Sequence, residues 1–282
     1  MNRFALLSAA IVAVGIGTSA ARADLIVGSS TEYGWQEFPT QLNNYSNANR
    51  PFWDNPSRDV AKPNKGGPLN VGNFLTSPYR VKNDAKNPDI SIGLIAPQWW
   101  GTTGSNSTNA DKDVYFTRGE SVGEITAVLL LQASDNAKKD IVGWYNVDNP
   151  AEKHVIWDGK KNVIGAEVTF EPSLNWGFYM TTPYGTYYMQ TSIAGCFDAD
   201  YAHFALFQDS SVAGAEVYYV GIEDMKAGTQ PPEGNGDFND FIFKFWSTAA
   251  DHGSTDGPHT PEPASLMLLG LGSAGLLLRR RK

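Results

Sequence analysis

Val217-Tyr218-Tyr219-Val220-Gly221-Ile222-Glu223-Asp224, then a Gly/Pro-rich connection, then Gly236-Asp237-Phe238-Asn239-Asp240-Phe241-Ile242-Phe243-Lys244-Phe245-Trp246: this stretch decides the fold. Both apolar runs consist of β-branched and aromatic residues. In the second, Phe241, Phe243 and Phe245 alternate with Ile242 and Lys244, which is the period of a strand. Working back toward residue 111, similar runs recur at short intervals with turn residues between them. They cover 114–116, 125–131, 141–147, 154–157, 163–170, 176–180, 186–189 and 202–207. No run of comparable length has a helical period. Short strands at that spacing predict an all-β chain, an antiparallel β-sandwich or jelly roll.

Residues 31–110 are different in kind. They hold many asparagines and half of the prolines, with strand-like fragments only at Phe74-Leu75 and 90–95. They are expected to form long loops and edge strands of the same domain, because no linker separates the halves. The alternative is a separate N-terminal domain. The expected organisation is a signal peptide at 1–23 and a single domain at 24–246, loop-rich over 24–110 and strand-rich over 111–246. A flexible Ser/Thr/Gly/Asp-rich stalk follows at 247–260, then a terminal segment at 261–282.

Composition narrows the function. The 282 residues are 41% apolar, 12% aromatic and 18% charged, which excludes a disordered chain. The net charge is −8, and Arg3, Arg22 and Arg279 through Lys282 all lie in the two ends, so the body is more acidic still. Such a body repels nucleic-acid phosphates and anionic membrane surfaces and suits cations. Met1-Asn2-Arg3, the apolar run 4–17 and Ala21-Arg22-Ala23 have the order of a secretory signal with its A-x-A cleavage site. Cys196 is the single cysteine, so no intramolecular disulfide forms. Beside Phe197 it is expected to act as a small buried hydrophobe, because His154, His203, His252 and His259 show no catalytic spacing to it.

Glu223, Asp224, Asp237, Asn239 and Asp240 stand where two neighbouring strands deliver them to one end of a sheet. Converging short oxygen-bearing side chains suit a hard cation such as Ca²⁺. The spacing is not that of an EF-hand loop. Ordinary turn chemistry explains the same residues equally well. Weaker candidates are Asp111 with Asp113 and Asp198 with Asp200, where turn chemistry is the better explanation. Trp99 and Trp100, with Trp35 and Trp53, are candidates for a sugar-stacking platform, since adjacent residues of a strand point to opposite faces and one of the pair is expected to be exposed.

Two resemblances add to this reading. Pro261-Glu262-Pro263, the apolar run 264–278 and Arg279-Arg280-Arg281-Lys282 together resemble the PEP-CTERM sorting signal of Gram-negative bacteria, which is processed by exosortase. As a helix, 264–278 spans about 22 Å, short of the ~30 Å hydrocarbon core, so a plain single-span anchor is the alternative. The resemblance implies that the precursor is held in the inner membrane only transiently through 264–278. It also implies export to the cell surface or an extracellular, biofilm-type matrix. Separately, Phe204-Ala205-Leu206-Phe207, the run from Tyr218 to Asp224, and Gly236-Asp237-Phe238-Asn239-Asp240-Phe241-Ile242-Phe243 resemble a bacterial domain of unknown function with a G-D-x-D-[YF]-N-D type loop. One acidic position of that pattern is missing here. That resemblance implies a β-sandwich and a calcium-stabilised loop, and no reaction.

The expected function is therefore a non-enzymatic, structural or adhesive matrix protein stabilised by Ca²⁺. The alternative is a carbohydrate-binding module for extracellular polysaccharide. A polysaccharide hydrolase using a pair such as Glu223 and Asp237 ranks below both, because any acidic chain offers such pairs. No G-x-S-x-G, H-E-x-x-H, P-loop or dinucleotide fingerprint is present.

Overall fold

In the computed structural model, the residues described are 25–28, 33–38, 51–54, 70–76, 93–102, 110–118, 124–134, 136–211, 217–226 and 236–247. The signal segment with Ala21 and Ala23, the sorting motif Pro261-Glu262-Pro263 and the 264–278 run lie outside them, as does the stalk beyond Ser247. Among the described residues no helix is long and apolar enough to cross a membrane.

Two antiparallel sheets make up the body, as the alternating runs require. The first holds β1 (Leu25–Gly28), β4 (Tyr115–Arg118), β9 (Asn175–Thr181), β6 (Ile141–Asn146) and β7 (Asn149–Asp158) in that order, with β10 (Thr186–Tyr188) also paired to β9. The second holds β2 (Gly34–Glu37), β3 (Pro97–Gly101), β11 (Phe204–Asp209), β12 (Val217–Ile222), β13 (Phe241–Ser247), β5 (Ile125–Gln132) and β8 (Glu167–Phe170). Strands from both halves of the chain share each sheet.

The main core lies between the sheets. Phe241, Phe243 and Phe245 of β13 meet Trp157, Trp176 and Phe178 across it, with Ile125, Ala127 and Leu129 from β5 alongside. The alternate residues of the second sheet are apolar too. Val128, Leu130, Ala205, Phe207 and Ile242 face outward into a second buried cluster with Trp53, Val71, Leu75 and Trp99. A β-bulge opposite Ile242 and Phe243 lets consecutive Leu130 and Leu131 both join that cluster. The second sheet is thus covered on both faces, which is why β5 reads as a continuous apolar run instead of an alternating one.

The cover comes from the loop-rich part of the chain, and three expectations change there. Phe74-Leu75 is not a strand fragment but part of the helix α1 (Val71–Thr76), begun by an Asn cap: the Asn73 N–H donates to Asn70 Oδ1 at 2.9 Å. Residues 93–96 are not strand; pairing starts at Pro97, where β3 joins β11. Trp99 and Trp53 are buried, and Trp35 and Trp100 are half-buried against the main core, edge to face at 5.1 Å. The expected sugar platform is therefore core packing, with no exposed tryptophan of the adjacent pair. Three boundaries also move. The strand expected at 163–170 shortens to β8 because Gly165 turns the chain at φ 82°. β7 begins at Asn149, well before 154; its first half is largely exposed and meets β6 at Asn149 and Lys153, with an irregularity between them. Ser247, placed in the stalk by composition, is the buried last residue of β13.

Trp53 tests whether this cover is structural. It packs on Phe207 and Phe38 at ring distances of 5.1 and 4.8 Å. Trp53→Ala is expected to cost about 3–5 kcal/mol in urea denaturation. A surface loop tryptophan would cost close to nothing.

Candidate metal centre

Register brings the acidic residues together. β12 ends at Ile222, which pairs with Phe241 at the start of β13, and Phe241 also pairs with Gln132 near the end of β5. Phe204 at the start of β11 pairs with Ile222 as well. The segments beyond these ends therefore meet at one corner: Glu223-Asp224, Asp237 through Asp240, the turn after β5, and His203.

The loop before β13 is bent into this corner. Gly236 has φ 76° and Phe238 has φ 53°, both left-handed. For a phenylalanine that conformation costs about 1–3 kcal/mol and persists only under external constraint. The constraint is burial of the ring against Phe52 at 5.3 Å and Tyr201 at 6.4 Å. Gly221 leaves room for it, since a Cβ there would lie 2.5 Å from the Phe238 carbonyl oxygen. The Val71 N–H of α1 donates to the Asp237 carbonyl at 2.8 Å, which ties the cover of the second sheet to the same loop.

Glu223, Asp224, Asp237, Asn239 and Asp240 are all buried. One oxygen from each of Glu223, Asp224 and Asp240 falls within a 4.8 Å group. Asp240 Oδ2 accepts the Asp224 N–H at 2.8 Å, and Glu223 Oε2 accepts the Gly236 N–H at 3.1 Å. Asp237 and Asn239 form a pair beside this triad, with Asn239 Nδ2 donating to Asp237 Oδ2 at 3.0 Å. Burial, followed by the charges of Asp237 and Asp224, pushes Glu223 up to about 8. Burial and the Glu223 charge push Asp240 well above the usual carboxylate range.

Other groups at this corner were not singled out from sequence. Asp140 is fully buried, and burial together with Asp224 raises it to about 7. The Ser134 hydroxyl sits between Asp140 and Asp224 and accepts the Asn136 N–H at 2.8 Å. His203 Nδ1 donates to the Glu223 carbonyl at 2.9 Å, and burial pushes its pKa down. The only sequence sign of these groups was a polar Ser-Asp-Asn turn ahead of an apolar run.

The donor set fits a hard cation. Oxygens that share a Ca²⁺ at about 2.3–2.6 Å lie within roughly 5 Å of one another, and the triad meets that condition. Among the described residues this is the only such grouping of His, Cys, Asp and Glu. Asp111 is occupied instead by turn and core bonds, accepting from Trp100 Nε1 at 2.8 Å and from the Asp113 N–H at 3.0 Å. Asp198 lies 3.5 Å from His203 Nε2, and Asp200 is exposed. Cys196 is half-buried rather than buried, against Tyr145, Tyr179 and Tyr188, and burial raises its thiol pKa.

Comparison with known proteins gives one match: residues 259–282 match the PEP-CTERM protein-sorting motif. That motif marks an exported protein, membrane-anchored as a precursor, processed by exosortase and carried to the cell surface. No curated protein and no solved structure matches the chain.

The raised carboxyls make stability depend on pH when no cation is bound. Asp140 and Glu223 hold their protons in the folded protein up to about 7 and 8, whereas unfolded carboxyls ionise near pH 4. The folded state binds more protons between those limits, so their contribution is complete below about pH 4 and is lost as pH rises through 7 to 8. His203, with its lowered pKa, opposes folding only below its ordinary value of 6.5. Melting temperature in a chelator is therefore expected to fall between about pH 6.5 and about pH 8.5. A flat profile there would show that these carboxyls ionise without cost.

Proposed function

We propose that the mature protein is a non-enzymatic structural or adhesive component of the cell surface or extracellular matrix, its sandwich stabilised by Ca²⁺ held by Glu223, Asp224 and Asp240 with Asp237 and Asn239 beside them. The observation that carries the reading is the burial of this acidic group at a closed corner. A catalytic carboxylate pair must face a cleft that admits substrate, whereas Glu223 is 1% and Asp224 2% exposed. A buried ion there would join two segments of the chain, the end of β12 and the start of β13, and offset charges that burial opposes. The resemblance of 204–243 to the acidic-loop domain agrees with this reading, and the sorting motif supplies the route outward.

Carbohydrate binding stays as the second reading, favoured by one feature. An open groove of about 500 Å³ at the free edges of the sheets is lined by Arg118, Trp144, Glu152, His154 and Phe170, with the His154 ring stacked on Trp144 at 4.1 Å. Retention of polysaccharide by the parent and its loss in His154→Ala would favour a lectin over a passive matrix component.

Two measurements test the main proposal. Mass spectrometry of exported protein is expected to show a chain beginning near Asp24 and lacking 264–278; retention of that run would leave a plain membrane anchor. Ca²⁺ at a hundredfold excess over its dissociation constant is expected to stabilise the protein by about 2.7 kcal/mol. Asp240→Asn keeps an acceptor for the Asp224 N–H and should lose only the calcium response. A parent that melts identically in EDTA and in Ca²⁺ would reduce the cluster to turn chemistry.

A further inference from the structure

Asp140 enters the corner from the other sheet. It immediately precedes β6 of the first sheet, while Glu223, Asp224 and Asp240 flank β12 and β13 of the second. Its side chain is fully buried, and Oδ1 has no hydrogen-bond partner. Oδ2 accepts from the Ser134 hydroxyl at 2.8 Å, and the same hydroxyl contacts Asp224 Oδ2. A hydroxyl has a single proton and satisfies only one of two carboxylates. Asn136 Nδ2 is a second donor to Asp224 Oδ2 at 3.4 Å, which leaves Asp140 Oδ1 as the oxygen without one. The orphaned Oδ1 is an oxygen with ligand capacity left over, on a carboxylate that lies outside the 4.8 Å group of Glu223, Asp224 and Asp240 and reaches it through the Ser134 hydroxyl.

We infer that Asp140 is a further ligand of the cation, so that one ion ties the first sheet to the second at this corner. The inference rests on the proposed Ca²⁺ reading of Glu223, Asp224 and Asp240 and adds a ligand that the strand-end motif alone does not contain. An ion held only by residues next to β12 and β13 would brace one sheet. An ion that also takes Asp140 resists separation of the two layers.

Isothermal titration of CaCl₂ into EGTA-treated mature protein separates the two ideas. Asp140→Asn removes a charge and keeps the shape, so it should weaken Ca²⁺ binding by about ten- to a hundredfold. Above about pH 7 it should also melt no lower than the parent in EGTA, because there the parent buries a charge that the variant lacks. Parent-like affinity in Asp140→Asn overturns the inference and leaves the triad standing. Absence of Ca²⁺ binding in the parent overturns both. A readout on the parent alone covers the case in which the variant fails to fold. Hydrogen exchange should slow on Ca²⁺ addition at 136–143 as well as at 222–226 and 236–242; protection confined to the last two segments overturns the role of Asp140.

Discussion

The second sheet is apolar on both faces, and most of the architecture follows from that constraint. A sheet with one wet face would need only its partner layer. Here Phe207, Leu130 and Ile242 point away from the partner and must be removed from water as well. The long Asn- and Pro-rich part of the chain supplies Trp53, Val71, Leu75 and Leu94 for that purpose. The described residues 51–54 and 70–76 are therefore placed less by local turn preferences than by the surface they cover. Among the described residues nothing comparable covers β7, whose first half is largely exposed.

The same packing carries the acidic loop inward. Phe238 lies under Phe52 and Tyr201, and its neighbours Asp237, Asn239 and Asp240 are drawn in with it. Hydrophobic burial thus works against electrostatics at this corner: each ring contact that holds the loop also removes water from a carboxylate. The molecule answers in part with backbone donors, from Gly236 to Glu223 and from Asp224 to Asp240. Those donors do not offset the loss of water: burial first, and the neighbouring carboxylate charges second, raise Glu223, Asp240 and Asp140.

Legibility tracked the range of the interactions involved. β12 and β13 were readable because alternation within a few residues reports two faces, and the acidic ends follow from those strands. The first half of β7 was not, since Asn149-Pro150-Ala151-Glu152-Lys153 shows no alternation and is paired to β6 only at Asn149 and Lys153, across a register irregularity. β1, β2 and β3 are short, and their pairing partners lie far along the chain. Trp100 looked available to a ligand until Trp35 and Asp111 were seen against it. Asp140 was out of reach for the same reason: Ser134 and Asp224, which share a hydrogen bond beside it, are separated by 90 residues.

The last described strand also has a mechanical consequence. β13 is an interior strand, laddered to β12 on one side and to β5 on the other. The chain leaves it at Ser247 toward the sorting motif at 259–282, at the end of the strand opposite the acidic corner. A pull on that tether runs along β13 and loads both ladders at once in shear. Peeling bond by bond, the easy failure of an edge strand, is closed to a force applied at this point.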